Sequence, residues 1–130
     1  MSNRRRSPVQ NGYRVDFLRS RAWFARRARW FKREESLGHE LVCVGCSRSA
    51  SRADLELHHL DYAGVWFADG SWRAFERHSD LMPMHPLCHD VLHCLIDRDT
   101  VLARQRTRRD ASLIALDRLR ADLHHLTEES

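Results

Sequence analysis

Apolar positions along the chain change period from segment to segment, and each change marks an element. Residues 1–12 are polar, hold Pro8 and Gly12, show no apolar period, and read as a mobile arm that orders on a partner. From Val15 to Arg33 the residues Phe17, Leu18, Ala22, Trp23, Ala25, Ala28, Trp30 and Phe31 recur at helical spacings among arginines. This predicts one amphipathic helix within 13–36, with Asp16 placed to cap or charge-stabilise its start. Its aromatic stripe is expected to pack on the domain, while the arginine face is left to solvent or phosphate. Glu40 to Val44 is a short apolar run entering Cys43-x2-Cys46, where Gly45 is expected to allow a tight strand–turn–strand knuckle. After a polar loop over 47–54, Leu55-Glu56-Leu57-His58 alternates as a strand does and ends at His58-His59.

A loop is expected through Gly64, Asp69 and Gly70 to Trp72, with a short strand over Val65, Trp66 and Phe67. Pro83 and Pro86 restrict the chain before a helix that begins near Leu87 or Cys88 and runs through His93. A second amphipathic helix is expected from Thr100 to Leu126, breaking near Asp110, with Leu113, Leu116, Leu119, Leu123 and Leu126 on one stripe. That stripe is a packing face or a coiled-coil contact. The fold class is therefore α+β: an arm over 1–12, an Arg-rich helix over 13–36, a core over 37–98 and a C-terminal helix over 99–130.

A chain of 130 residues allows one ordinary domain with arms, and no apolar run approaches the length that spans a bilayer, so no membrane partner is expected. Met1 to Arg6 is basic without a following apolar stretch, so no secretory signal is read there and a cytoplasmic setting is expected. The net charge of +4 conceals an asymmetry: residues 1–33 carry +10 and the remainder −6. Arginine outnumbers lysine 21 to 1, which suits bidentate phosphate contacts, although a GC-rich genome would give the same bias.

Cys43, Cys46, Cys88 and Cys94 could form two disulfides, but the C-x2-C spacing without an export signal favours metal. Six of the nine histidines, His58, His59, His78, His85, His89 and His93, fall in the interval between Leu57 and Cys94. In order, the chain presents Cys43-x2-Cys46, then Leu57-His58-His59-Leu60-Asp61-Tyr62, then Asp80-Leu81, then Cys88-His89-x3-His93. This order resembles the HNH endonucleases over about residues 41–94. That family has a C-x2-C knuckle, a strand ending in His-His or Asp-His, an Asn or Asp before Leu, then C-x2-C-H and a final His, and one phage-type branch shares the tyrosine. One position departs: His85 stands where the family has the first cysteine of the second pair.

The resemblance implies a small ββα-metal core, a structural Zn2+ and a second, catalytic divalent metal such as Mg2+, Mn2+ or Ni2+. Zinc accepts imidazole as readily as thiolate, so Cys43, Cys46, His85 and Cys88 would close a Cys3His tetrahedron. Cys94 is the alternative fourth ligand, or else a buried, apolar-like thiol. His58 and His89 would hold the catalytic metal. His93, four residues from His89 on one helix face, would join them or simply pack. His59 would be the general base and Asp80 the residue that fixes the loop carrying it, unless Asp80 is a helix cap or a surface acid. Asp61 and Asp90 would partner these histidines or form surface ion pairs, and His39, His78, His124 and His125 are read as surface residues. The implied activity is hydrolysis of DNA phosphodiester bonds, in a phage or bacterial setting such as packaging, restriction, homing or defence. A single chain would suffice to nick, and a pair would favour double-strand cutting. A zinc-stabilised nucleic-acid-binding module without catalysis is the alternative, and it would not need His58, His59, His89 and His93 together.

Overall fold

The computed structural model describes residues 14–99, 104 and 106–129. The arm over 1–12, and residues 100–103 and 105, lie outside the described residues. Helices and short two-stranded sheets alternate, an α+β arrangement, in two compact units.

The first unit comprises the described residues of 1–40 together with 61–81. Helix α1 (Arg21–Ser36) begins where Ser20 Oγ accepts the Trp23 N–H at 3.1 Å and donates to Phe17 O at 2.6 Å. The expected single helix is therefore interrupted at Arg19 and Ser20, and Ser20 is the cap. Asp16 instead accepts the indole N–H of Trp72 at 3.0 Å. Trp23, Arg26, Trp30 and Phe31 form the buried stripe of α1. Phe17 packs against Trp23, Tyr62 and Trp72 at centroid distances of 5.7, 6.4 and 5.4 Å.

Strands β2 (Val65–Ala68) and β3 (Ser71–Ala74) make an antiparallel hairpin. Asp69 (φ 51°) and Gly70 (φ 77°) form its two-residue turn, both in the left-handed region that matches the twist of the strands. The loop expected from Gly64 to Trp72 is thus a hairpin with a second strand. Gly64 has φ 89°, and a Cβ there would lie 2.4 Å from Phe75 O, so only glycine fits.

The second unit comprises 41–60 and the described residues of 82–130. Strand β1 (Glu56–His59) pairs with β4 (Leu81–Met84), and helices α2 (Pro86–Arg98) and α3 (Arg108–Glu129) pack on each other. Pro86 starts α2, its fixed φ being preset for the first helical position. Arg104 is helical and 106–107 are not, so the break expected near Asp110 falls at 106–107; the C-terminal helix begins at Arg108, where Thr107 Oγ1 accepts the Asp110 N–H at 3.1 Å. Its buried stripe is Ala111, Ser112, Ala115, Leu116 and Leu119, whereas Leu113 and Leu126, expected on that face, are exposed. Among the described residues no helix is long and apolar enough to cross a membrane.

Candidate metal centres

Among the described residues, two clusters of ligand-type side chains lie in the second unit: Cys43, Cys46, His85 and Cys88, and His58, His89 and His93. In each, the candidate ligand atoms all lie within 4.8 Å of one another.

The first cluster is built by a turn, a strand end and a helix start. An isolated bridge Val42–Ser49 closes the knuckle, within which Cys43 N–H donates to Arg48 O and Ser47 N–H to Cys43 O. The residue with left-handed backbone is Ser47 (φ 64°), not Gly45. Gly45 sits in a tight space: a Cβ there would stand 3.1 Å from both Cys88 Cβ and Leu119 Cδ2, so these neighbours would have to give by a few tenths of an ångström. Val44 N–H donates to Pro83 O at 2.9 Å and Arg120 Nε to Val44 O at 2.7 Å, tying the knuckle to β4 and α3. His85 follows β4 directly and precedes Pro86; its N–H points at Cys43 Sγ (3.3 Å) and its Nδ1 lies 3.3 Å from Cys46 Sγ. Tetrahedral zinc with bonds of ~2.0–2.3 Å places neighbouring ligands ~3.3–3.8 Å apart, so this Cys3His group fits zinc.

The thiols show why a cation suits them. Burial pushes the Cys43 thiol up, but the backbone N–H groups of Cys46, His85 and Gly45 outweigh it and bring the pKa down to about 7. Burial and the adjacent Cys43 and Cys46 sulfurs push Cys88 up to about 12. One thiolate is stabilised locally and a second is opposed by the first, which a divalent ion reverses. All four cysteines are free, and Cys94 is exposed and outside both clusters, not the buried thiol expected.

In the second cluster His58 comes from β1, and His89 and His93 from successive turns of α2. His58 Nδ1 lies 3.1 Å from His89 Nε2, and His93 Nε2 lies 3.0 Å from the same atom. Cis ligands on a six-coordinate cation with bonds of ~2.1 Å lie ~3.0 Å apart, so the three nitrogens fit one ion. Each of two rings is fixed from behind. Glu56 Oε1 accepts from His89 Nδ1 at 2.9 Å, which leaves the Nε2 lone pair facing the cluster. His58 Nε2 donates to Ser112 Oγ at 2.8 Å, and both residues are wholly buried. Burial foremost, then Arg108 and the neighbouring histidines, holds His58 far below the ordinary imidazole range, so it is neutral and able to ligate.

His59 adjoins this cluster in sequence but is not one of its three residues. Its side chain is buried, and its carbonyl accepts Arg108 Nε at 2.7 Å. Asp80, at 1% exposure, is not a surface acid; it ends a 3-10 turn (His78–Asp80), where the Arg77 guanidinium lies 3.5 Å from its carboxylate. His78, expected at the surface, is half-buried and stacks on Trp30 at 4.9 Å with 11° between planes. His39 is exposed against Glu34, and His124, His125 and Asp90 are exposed. Asp61 accepts the Ala63 N–H in a local turn.

Sequence reading missed Glu56, Ser112 and Arg108. For Glu56 a signal existed: strand alternation sets it on the same side of β1 as His58, two residues away. Ser112 and Arg108 carried none, being 54 and 49 residues from their partners. No protein-family model, curated protein or solved structure matches this chain.

Proposed function

We propose that the protein is a metal-dependent DNA endonuclease of the HNH type, with a ββα-metal core formed by β1, β4 and α2. The observation that carries this reading is the convergence of His58, His89 and His93 on one point, backed by Glu56 and Ser112, in the unit that also holds the Cys3His group. A zinc-binding module needs only the latter group. In the cluster, His58, His89 and His93 would hold a divalent cation such as Mg2+, Mn2+ or Ni2+, whose charge offsets that of the phosphate. His59 accepts a proton from the attacking water as the new P–O bond forms and the bond to the leaving 3′ oxygen breaks. Arg108 fixes the main chain at His59 and so limits where its ring can stand. Asp80 immediately precedes β4, the strand paired with β1, and acts as a positioning residue for the segment bearing His59. The arginines of 1–33 supply attraction to the DNA backbone.

The test is incubation of the zinc-loaded protein with supercoiled plasmid and each of the three cations, read as conversion to open circles. His59→Ala and His89→Ala are expected to abolish nicking, with only His89→Ala weakening binding of the second cation. Plasmid binding without nicking under every cation would refute the nuclease reading and leave the zinc-stabilised binding module.

A further inference from the structure

The hairpin of the first unit carries a surface that neither metal cluster uses. Opposed residues of an antiparallel pair share a face, so the register Trp66–Arg73 and Ala68–Ser71 puts these four side chains on one side. Phe75, two residues past Arg73, is held in line by its N–H to Gly64 O at 2.8 Å. Its ring stacks on Trp66 with centroids 5.4 Å apart and 25° between planes. On the opposite side Ala74 is buried and Trp72 packs on Phe17 and on Phe67, whose ring is 51% exposed. The stacked rings remain in solvent, Trp66 47% and Phe75 63% exposed, and on the same face Arg73 Nη1 donates to Ser71 Oγ.

Cations bracket the rings. Arg73 lies directly across from Trp66, and Arg77 lies two residues beyond Phe75 on extended backbone (φ −64°, ψ 147°), its side chain 74% exposed although its Nε lies 3.5 Å from the Asp80 carboxylate. Arg73, Phe75 and Arg77 thus alternate over about 13 Å of extended chain. The acid within this run, Glu76, is buried, with Arg26 donating twice to its carbonyl (3.1 and 2.9 Å). Asp69, at the turn, is the exposed acid of the hairpin. Exposed rings bracketed by arginines along an extended strand match a polyanion whose repeating unit also carries a flat apolar face.

We propose that this face is a stacking platform for unpaired nucleobases of single-stranded DNA, with Trp66 and Phe75 taking base faces and Arg73 and Arg77 taking phosphates. This deepens the nuclease reading by naming the form of DNA held, and it can be tested without cleavage or a catalytic cation. The zinc-loaded full chain is titrated into a labelled oligothymidylate and followed by fluorescence anisotropy. Trp66→Leu and Phe75→Leu are each expected to weaken binding ~5- to 150-fold, equivalent to about 1–3 kcal/mol, without changing the salt slope. An oligomer of abasic sugar-phosphate should bind wild type weakly and both leucine variants equally. Arg73→Gln combined with Arg77→Gln should lower the salt slope by about 1.4.

Should Trp66→Leu fail to fold, Phe75→Leu, altering the more exposed ring, carries the same comparison. The platform is overturned if Phe75→Leu binds oligothymidylate as wild type does, or if the abasic oligomer binds as tightly as the base-bearing one. It is equally overturned if light scattering shows a dimer that Trp66→Leu dissociates while DNA affinity is unchanged, since a second chain then covers the rings. Ring-dependent binding by a protein that nicks no plasmid would support the platform and reject the nuclease. Nicking with unaltered Phe75→Leu binding would do the reverse.

Discussion

Replacing Ser112 by alanine removes one hydroxyl and, if the histidine cluster holds a cation as proposed, should weaken that binding before it costs the protein its fold. Ser112 Oγ is 2.8 Å from His58 Nε2, and neither residue is exposed. Without the hydroxyl, His58 has two choices. It can keep its proton on Nε2 with no acceptor there, at a cost of about 1–3 kcal/mol for a buried unsatisfied donor. It can instead carry the proton on Nδ1, 3.1 Å from His89 Nε2, where the metal-free protein tolerates it. That proton then occupies the lone pair a cation needs, and binding must drive it back to Nε2. By either route the penalty falls on the metal-bound state, so affinity should drop ~5- to 150-fold, overlapping the ~10- to 100-fold known for lost outer partners of metal-binding histidines. The assay is calorimetric titration of Ni2+ into zinc-loaded wild type, Ser112→Ala and Ser112→Thr, the last retaining the hydroxyl and expected to stay nearer wild type. Unchanged affinity in Ser112→Ala would refute the reasoning. So would lost stability with affinity intact, because the contact would then serve folding alone.

Elemental analysis is expected to find about one tightly held zinc per chain, lost with the fold of the second unit in Cys43→Ser and retained in His85→Cys. Gly64→Ala should destabilise by about 1–3 kcal/mol from the left-handed backbone alone, with its Cβ contact to Phe75 O adding to this, measured by urea denaturation. Burial keeps His58 neutral in the folded chain while the unfolded chain takes up a proton below a pKa of about 6.5. Stability should therefore be flat above that value and fall below it by about 1.4 kcal/mol per pH unit for this group, a trend that thermal melts across the range would contradict if stability held constant or rose on acidification.

Local features were legible in the chain, and long-range pairings were not. The stripe of Trp23, Trp30 and Phe31 repeats within two helical turns, and Pro86 ahead of Cys88 announces a helix start, so α1 and α2 could be read from neighbouring residues. The two halves of the Cys3His group that could hold zinc, Cys43-x2-Cys46 and His85-x2-Cys88, are each a local spacing and so were legible, whereas their meeting was not. Asp69-Gly70 between Val65–Ala68 and Ser71–Ala74 was also a local signal, a two-residue hairpin turn, and reading it as part of a loop hid β3. Other errors came from distance. Asp16 sits at the right place to cap a helix, but Trp72, 56 residues away, offers it an indole N–H, and Ser20 takes the cap. Strand alternation sets His58 and His59 on opposite sides of β1, and the structure leaves that reading standing. Both are buried, because each side of β1 there is covered.

Helix α2 serves both clusters, and this couples them. His85 stands at its N-cap, Cys88 lies in its first turn, His89 follows, and His93 comes one turn later. Successive residues on a helix diverge by about 100°, so Cys88 and His89 address different directions from one stretch of backbone. A rotation of α2 large enough to withdraw Cys88 from Cys43 and Cys46 also swings His89 away from His58. The knuckle is tied to β4 through Val44 and Pro83, and β4 pairs with β1, which bears both His58 and the Glu56 that fixes His89. The separations of 3.0 and 3.1 Å among the three imidazoles therefore depend on the same strand, knuckle and helix start that the Cys3His group holds together. Zinc at that group would act on the histidine cluster through geometry, restricting α2 to the orientation in which the three lone pairs meet, so affinity for a second cation should depend on the first having bound.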